Sequence, residues 1–378
     1  MNEYFNVSTA KNKDNHYGKE DVLSVSGDYG IVNQIEFQGR SFAGASVANY
    51  GVVNSGDVVY TKSPLSTNPY GIIKANKGKS GIVSTLYAVY KPCKNVNSEF
   101  VQVYFELNSR MNNYMQPLVN KGAKNDMKVT AENALKGGVC FPKLKEQDAI
   151  VEYFRSLDHL ITLHQRKCEE TKKLKKYMLQ KMFPQNGQTV PEIRFAGFTD
   201  AWEQRKLSEL SEKNFGGGTP KTSNESFWKG NIPWIQSSDL IEGSLFDVVP
   251  RKYISQEAVD KSATKLVPEN SMAIVTRVGV GKLAFMPFPY ATSQDFLSLS
   301  ELKTEPQFTA YVLYKKLQSE LNAVQGTSIK GVTKDELLTK KIMTPCYEEQ
   351  EKIGSYLYSL DHLITLHHRK YTDTLKSP

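Results

Sequence analysis

The chain has 378 residues, of which 39% are hydrophobic and 23% charged, and its formal net charge is +8. This length predicts two or more domains, and the composition excludes a disordered chain. No apolar run approaches the roughly 20 residues that a membrane-spanning helix needs, and the polar start is not a signal peptide, so we expect a cytoplasmic protein without membrane contact. The four cysteines lie far apart, which favours reduced, structural thiols and no metal site.

The first block of the chain consists of short β-like runs separated by Gly, Asn, Pro and Ser. The runs lie at 22–26, 57–61 and 85–90, and a helix is predicted at about 98–116. Residues 1–145 carry 17 Lys and Arg against 11 Asp and Glu. A basic block fits a nucleic-acid partner, because neutralised phosphates supply most of the non-specific affinity. A mildly basic protein without such a partner fits the charge equally well.

A long helix follows, and its apolar residues recur at alternating spacings of four and three. Ile150, Phe154, Leu157 and Ile161 mark this period of 3.5 residues, which is typical of a coiled-coil seam. Residues 146–183 would form a helix about 57 Å long. The lysines between 172 and 176 indicate either a solvated face or contacts with phosphates. The spacing of His159 and His164 places them on different faces and does not favour a metal pair.

The second block repeats this order of elements. Short β-like runs are predicted at 232–236, 272–278 and 296–300, and a helix at 306–323. Residues 184–347 are nearly neutral, with 19 Lys and Arg against 18 Asp and Glu. A second helix ends the chain, and its seam runs through Ile353, Leu357, Leu360 and Ile364.

The two helices contain an internal repeat. SLDHLITLHQRK at 156–167 returns as SLDHLITLHHRK at 359–370, and Glu146-Gln147 returns at the same offset as Glu349-Gln350. This repeat predicts a duplicated chain whose two long helices pack on each other in antiparallel fashion. Two similar halves suit a ligand with two similar halves, and duplex DNA is the commonest such ligand.

Several longer motifs together resemble one known family. They are AGFTDAWEQRKLSEL at 196–210, FGGGTPK at 215–221, IPWIQSSDL at 232–240, and LKKYMLQKMF at 174–183 behind the repeated helix segment. With these motifs the chain resembles the specificity subunits of Type I restriction–modification systems over nearly its whole length. The resemblance implies an α/β (α+β) fold, with two target-recognition domains of mixed α/β structure and a pseudo-two-fold internal repeat. Two long antiparallel coiled-coil helices would join the domains.

The resemblance also implies a domain organisation. Residues 1–143 would form the first target-recognition domain, shortened at its start, and residues 144–184 the first spacer helix. Residues 185–346 would form the linker and second target-recognition domain, and residues 347–378 a truncated second spacer helix.

The function that the resemblance implies is recognition without catalysis. Each domain would read one half of a bipartite target in double-stranded DNA, and the helices would dock two modification (methyltransferase) subunits. Whether a restriction subunit joins is left open. This chain would bind no cofactor, and S-adenosylmethionine, Mg²⁺ and ATP are expected on the partner subunits.

Two enzyme-like motifs fail on spacing. Asn68-Pro69-Tyr70 is similar to an adenine-methyltransferase loop but lacks the second proline, and no Gly-rich turn for S-adenosylmethionine accompanies it. Residues 279–282 are similar to a phosphate-binding loop, but Thr276 stands where its first glycine belongs. Two alternatives to a DNA-recognition subunit remain: a shortened or inactive specificity variant, and a coiled-coil interaction protein without DNA recognition.

The predicted loops supply the candidate DNA contacts. Arg277 is the first choice for a base contact, because a guanidinium can bind guanine through two hydrogen bonds, although it could instead form a surface ion pair. Gln294 could read adenine or cap a turn. The full set is Lys62, Ser63, Lys74, Lys121, Lys124, Gly217, Thr219, Lys221, Thr276, Arg277, Lys282, Gln294, Thr327 and Lys330. The predicted helix-packing residues are Ile150, Phe154, Leu157, Ile161, Ile353, Leu357, Leu360 and Ile364.

Overall fold

The computed structural model describes residues 1–62, 68–121, 127–185, 187–323 and 331–375. The chain divides into two compact units, Met1–Leu160 and Ile161–Pro378. Among the described residues, no helix combines the length and the apolar composition that crossing a bilayer requires.

The first unit contains mixed strands and helices. Its strands are β1 (Phe5–Val7), β2 (Leu23–Ser26), β3 (Gly30–Asn33), β4 (Gly51–Val53), β5 (Val58–Thr61), β6 (Ile73–Ala75), β7 (Gly81–Val83), β8 (Tyr87–Pro92), β9 (Asn120–Lys121) and β10 (Met127–Lys128). Its helices are α1 (Gln34–Gln38), α2 (Ser98–Glu106), α3 (Asn108–Met115), α4 (Ala131–Ala134) and the start of α5 (Leu144–Lys181).

The first unit is built around an antiparallel sheet in the order β1-β8-β5-β6. One face of this sheet packs on α2 and α3 through a core that includes Val58, Tyr90, Phe100 and Met111. The strands expected near 22–26, 57–61 and 85–90 are thereby confirmed. The single helix expected at 98–116 is wrong in one respect: Leu107 adopts an extended backbone, which breaks the helical hydrogen-bond ladder between α2 and α3.

The second unit repeats the same mixture. Its strands are β11 (Glu203–Lys206), β12 (Ser211–Gly216), β13 (Ile232–Ile235), β14 (Lys252–Ile254), β15 (Ser271–Val275), β16 (Leu283–Met286), β17 (Ala291–Thr292), β18 (Phe296–Leu302) and β19 (Lys341–Thr344). Its helices are the remainder of α5, α6 (Gln256–Asp260), α7 (Pro306–Ala323), α8 (Lys334–Thr339) and α9 (Tyr347–Leu375).

The main sheet of the second unit has the order β12-β18-β15-β16. In each unit, therefore, the first strand of the sheet lies at one edge, beside the last strand of the sheet. The helix that follows this last strand, α2 or α7, packs on the sheet. A smaller sheet, β14-β13-β17, lies in the second unit only, among the described residues, and contains the parallel pair β13 and β17.

Each long helix has, in its first turn, a buried glutamine that attaches it to its own unit. Gln147 Nε2 donates to the Pro142 carbonyl at 2.8 Å, and its Oε1 accepts from a backbone N–H at the start of α2 at 2.9 Å. Gln350 Nε2 donates to the Pro345 carbonyl at 2.9 Å, and its Oε1 accepts from the Glu305 N–H before α7 at 3.0 Å. Because these glutamines are buried, their hydrogen bonds attach the start of each helix to its own unit.

Within the second unit, the end of α5 contacts α9 in antiparallel order. His164 Nδ1 lies 3.2 Å from His367 Nδ1, and Cys168 Sγ lies 3.8 Å from the Ile364 carbonyl oxygen. Farther along, Lys175 pairs with an aspartate one turn earlier in α9. Later residues of α5 thus contact earlier residues of α9, as antiparallel packing requires.

The eight predicted helix-packing residues have several different environments. Ile353, Leu357 and Leu360 lie in the core of the second unit, which they share with α7. Ile150 borders the core of the first unit, whereas Phe154 is 39% exposed. Leu157, Ile161 and Ile364 are half-buried. The face of α9 that the sequence assigned to a coiled-coil seam is therefore largely occupied by packing inside its own unit.

Candidate nucleic-acid interface

An open cleft of about 1020 Å³ lies at one end of the strands of the second unit. Its walls come from the segment after β12, the turn after β13, the start of β14 and the loop between β17 and β18. The residues around it are Thr219, Thr222, Trp228, Lys229, Gly230, Trp234, Gln236, Ser237, Ser238, Arg251, Lys252, Tyr253, Ser293, Gln294 and Asp295. We call these residues the reading cleft.

Backbone hydrogen bonds hold these loops together. The Ser293 N–H donates to the Ile235 carbonyl at 3.0 Å, which joins the loop before β18 to the end of β13. The Thr276 N–H donates to the Asp295 carbonyl at 2.7 Å, which adds the end of β15. Loops that hydrogen-bond to one another at the end of a sheet present their outward side chains in a fixed arrangement, as recognition of a ligand requires.

The glycine run after β12 lets the main chain approach this junction closely. A Cβ atom at Gly217 would lie 1.8 Å from the Ser293 carbonyl oxygen, so a larger residue would push the two loops apart. The Gly218 N–H donates to the Thr292 carbonyl at 2.9 Å. Gly217 therefore serves packing, and the exposed residues that follow it, Thr219 and Lys221, are the ones that a ligand could reach.

Two tryptophans and a lysine form one side of the reading cleft. The rings of Trp228 and Trp234 meet edge to face, with centroids 4.9 Å apart. Lys252 Nζ lies 5.7 Å from the Trp228 ring centroid and 5.8 Å from that of Trp234, within reach of a cation–π interaction. Because Trp234 is buried and its Nε1 donates to the Gly218 carbonyl at 3.0 Å, this side is rigid.

Arg251 is held at the rim of the cleft by a buried carboxylate. Its Nε lies 3.6 Å from Asp239 Oδ1, while the other carboxylate oxygen accepts from the Gln236 N–H at 2.8 Å. The Arg251 side chain is 70% exposed. Most of its donors are therefore directed towards solvent and are available for phosphate or base oxygens.

Four of the predicted contact residues are exposed at or beside this cleft. Thr219 and Gln294 line it, and Lys221 follows Thr219 in the same loop. Arg277 is exposed at the end of β15, directly after the Thr276 backbone that bonds to the 293–295 loop. Sequence reasoning thus identified side chains that the fold brings to one end of the second unit.

Two other predicted contacts are already satisfied inside the protein. The Lys282 ammonium donates to the Leu240 carbonyl at 2.9 Å and to the Ser237 carbonyl at 3.3 Å. Thr276 is buried, and its hydroxyl donates to the Asp295 carbonyl at 3.0 Å. Both residues hold the loops of the cleft in place, which argues against the contact role expected from sequence.

In the first unit, Lys74 is also internal. It is only 4% exposed, and its ammonium lies 2.5 Å from the Glu106 carboxylate, so binding a phosphate would require breaking this ion pair and exposing the lysine. Lys62 is half-buried; burial and the nearby Lys11 lower the pKa of its ammonium. Lys121 forms the short pairing of β9 with β10. Ser63, Lys124, Thr327 and Lys330 lie outside the described residues.

Sequence reasoning missed the cationic and aromatic side of the cleft. Arg251, Lys252 and Trp228 were not among the candidates, although Arg251-Lys252 is an adjacent basic pair between a proline and a tyrosine. That pair was the available signal. Nothing in the sequence alone indicates that Lys252 lies over two tryptophans, because the pairing of β14 with β13 places it opposite Trp234, and the Trp228 ring packs against that of Trp234.

The two enzyme-like motifs adopt ordinary turns. The Gly71 N–H donates to the Asn68 carbonyl at 2.9 Å, and the Tyr60 hydroxyl donates to the Tyr70 carbonyl at 2.8 Å. Residues 279–282 form a turn that leads into strand β16, whereas a phosphate-binding loop leads into a helix. The described residues contain no group of three or more His, Cys, Asp or Glu side chains placed to bind a metal ion.

Comparison with known proteins finds a family match within the second unit. Residues 199–376 match the family model of the Type I restriction modification DNA specificity domain. A specificity subunit of the MjaIX Type I restriction enzyme of Methanocaldococcus jannaschii is 30% identical over 170 residues, which are 43% of this chain and 38% of that protein. The EcoR124I/EcoR124II specificity subunit of Escherichia coli is 33% identical over 172 residues, which are 43% of this chain and 41% of that protein.

The fold is also similar to that of a solved structure. The HsdS subunit from Thermoanaerobacter tengcongensis superposes with a TM-score of 0.51 at 21% identity, covering 85% of this chain and 78% of that one. The sequence alignments span only about two fifths of the length of the curated relatives that they match. The similarity of this chain to the specificity subunits of Type I restriction enzymes therefore rests on residues 199–376.

Proposed function

We propose that this chain reads a bipartite target in double-stranded DNA and positions adenine-methyltransferase and restriction subunits on it. The observation that carries the proposal is the reading cleft. Its exposed amide, guanidinium and ammonium groups converge at one end of the domain that matches the DNA specificity family. Members of this family are recognition subunits, so the chain contributes recognition while its partners supply the chemistry.

The side chains at and beside the reading cleft divide between two tasks. Arg277 and Gln294 have the donors and acceptors that read base edges, guanine for the guanidinium and adenine for the carboxamide. Lys221 and Thr219 suit phosphate oxygens, which position the protein without reading sequence. Arg251 and Lys252, which the sequence did not predict, join the phosphate or base contacts, and Trp228 offers an aromatic edge beside them.

The second half-site would be read by the first unit, which has the same order of strands in its main sheet. This organisation implies a first recognition domain at 1–143, a spacer helix at 144–184, a linker and second recognition domain at 185–346, and a second spacer helix at 347–378. Two observations support it: the antiparallel contacts between α5 and α9, and the glutamine joints, by which we mean the hydrogen bonds of Gln147 and Gln350 at the starts of these helices. The gap between half-sites would follow from the helices.

The partners follow from the duplicated helices. Two helices that repeat one sequence suit two modification subunits, each of which would carry its own S-adenosylmethionine. A restriction subunit would add the ATP- and Mg²⁺-dependent step. In this arrangement the present chain holds no cofactor, and its role is to determine where on DNA its partners act.

The experiment is methylation mapping of DNA from cells that co-express this chain with its modification subunit. We expect one methylated motif in two specific parts separated by a fixed gap. A motif with one specific part would assign reading to one unit alone. Absence of methylation despite a stable complex would overturn the proposal and favour a helical interaction protein.

A deletion variant tests the spacer role. Removal of residues 165–171 takes out one heptad, which shortens α5 by about 10 Å and preserves the face of the helix. The expected result is a changed gap with both half-site sequences retained. An unchanged gap with weaker assembly would assign the helices to subunit contacts only.

A further inference from the structure

The turn between β17 and β18 is held in place by its main chain. The Ser293 N–H donates to the Ile235 carbonyl at 3.0 Å. The Asp295 carbonyl accepts from the Thr276 N–H at 2.7 Å and from the Thr276 hydroxyl at 3.0 Å. These bonds join the turn to the ends of β13 and β15, so residues 293–295 have a fixed place in the wall of the reading cleft.

The polar side chains of this turn, in contrast, are unpaired. The Asp295 carboxylate forms no hydrogen bond or ion pair with any of the described residues. The exposed Gln294 carboxamide likewise has no partner among them. The Ser293 hydroxyl is buried, and it lacks a hydrogen-bond partner in the part of the chain that the structure describes. A turn with a bound main chain and unpaired polar side chains is suited to binding a ligand.

Asp295 differs in this respect from the other aspartate beside the cleft. Asp239 is buried, accepts from the Gln236 N–H at 2.8 Å and lies 3.6 Å from the Arg251 guanidinium. Its charge is therefore compensated within the protein, and its role is structural. Asp295 is half-buried, and among the described residues it pairs with none of the lysines and arginines that line the same cleft.

An unpaired carboxylate at a surface that binds DNA is repelled by the phosphates, so it has to meet a hydrogen-bond donor on a base. In the major groove these donors are the N4 amino group of cytosine and the N6 amino group of adenine. Adenine also presents the acceptor N7 beside N6, which suits a carboxamide and opposes a carboxylate. Cytosine presents no acceptor of its own there. The carboxylate therefore favours cytosine.

We propose that Asp295 is a specificity-determining residue, which accepts a hydrogen bond from the N4 amino group of a cytosine in the half-site that the second unit reads. This inference rests on the proposed function, and it adds cytosine to the guanine and adenine assigned to Arg277 and Gln294. The carboxylate repels the phosphates of every sequence, whereas its hydrogen bond forms only with cytosine. Asp295 thus lowers the affinity for incorrect sequences and spares the correct one.

The test uses the full chain in complex with its modification subunit, and duplexes that carry the mapped motif with each base pair of both half-sites replaced in turn. Asp295→Ala should reduce the preference for a G·C pair at one position about tenfold or more, and should strengthen binding to duplexes without the motif. Asp295→Asn retains an acceptor and adds a donor suited to adenine N7, so it should accept adenine at that position. Asp247→Ala is the matched control, because it removes an exposed carboxylate that lies beside α9, and it should leave base preference unchanged.

A purely structural role for Asp295 predicts a different result. Binding to all duplexes would then weaken together, with unchanged base preference, and this outcome would overturn the assignment. A mapped motif without a G·C pair in either half-site would also overturn it. In both cases, specific binding by the unmodified complex would leave the proposed function intact, whereas an unmodified complex without sequence preference would overturn that function as well. Thermal unfolding of each variant verifies that altered binding does not reflect lost folding.

Discussion

His164 and His367 occupy the same position in the two copies of the repeat, 203 residues apart, and their Nδ1 atoms lie 3.2 Å from each other. Equivalent residues that touch across two antiparallel helices mark the point about which the helix pair is locally symmetric. Lys167 and Lys370 raise the positive potential at this contact. A proton on His367 would add to this potential, which makes the contact sensitive to acid.

The first prediction concerns pH. Burial, followed by the nearby His164, lowers the pKa of His367 below its ordinary value of 6.5. The unfolded chain therefore binds the proton more readily, so this contribution to stability is complete above about pH 6.5 and is lost as pH falls through the lowered folded pKa. The melting temperature should decline in this acidic range, and His367→Gln should reduce the decline. An identical pH profile in the variant would contradict this assignment.

Arg277→Ala should relax specificity at one base pair of one half-site. The expected cost is about 1–3 kcal/mol of binding free energy for the preferred base, with little change for the other bases at that position. Binding to a library of single-base variants measures it. Arg205→Ala is the matched control, because that exposed arginine lies on β11 and pairs with Glu203 of the same strand. Equal losses for all sequences would mean that Arg277 contacts phosphate instead.

Substitutions of Lys221 and Lys282 should distinguish a lysine that contacts DNA from one that stabilises the fold. Lys221→Met should weaken DNA binding for all sequences and reduce the salt slope of affinity by about 1. Lys282→Met should leave that slope unchanged and lower the free energy of unfolding of the second unit, because the Ser237 and Leu240 carbonyls lose their donor. Salt titrations and denaturant unfolding provide the two measurements. A reduced slope for Lys282→Met would restore it as a phosphate contact.

Gln350→Ala should destabilise the joint between α9 and the second unit. The Glu305 N–H and the Pro345 carbonyl would lose their buried partner, at a cost of about 1–3 kcal/mol in the free energy of unfolding. Gln256→Ala is the control, because it removes only an exposed bond to Asp260. Similar unfolding midpoints for both variants would mean that the joint contributes little.

The sequence predicted elements whose signals are local. The apolar periodicity located both long helices, and the strands at 57–61 and 296–300 follow from β-branched and aromatic residues between turn formers. The helix break at Leu107 was missed, although Asn108 and Ser109, which follow it, are weak helix formers.

The contact residues were harder to predict because their partners are distant in sequence. In the sequence, Lys282 and Lys74 look like lysines that face solvent. Only the fold shows that Lys282 donates to carbonyls more than 40 residues away, and that Lys74 pairs with the Glu106 carboxylate. Arg277 and Gln294 are exposed, as expected for side chains in loops. Composition identifies which side chains could bind DNA, and tertiary contacts decide which of them remain available.

The glutamine joints have a consequence for exchanging parts between proteins. Gln147 and Gln350 anchor their helices through main-chain groups, a proline carbonyl and a single N–H. Hydrogen bonds to main-chain groups do not depend on which side chains the sheet and the loops carry. A recombination crossover inside the repeated helix segment leaves each glutamine together with the unit that it anchors, so a chimaera would inherit an intact junction.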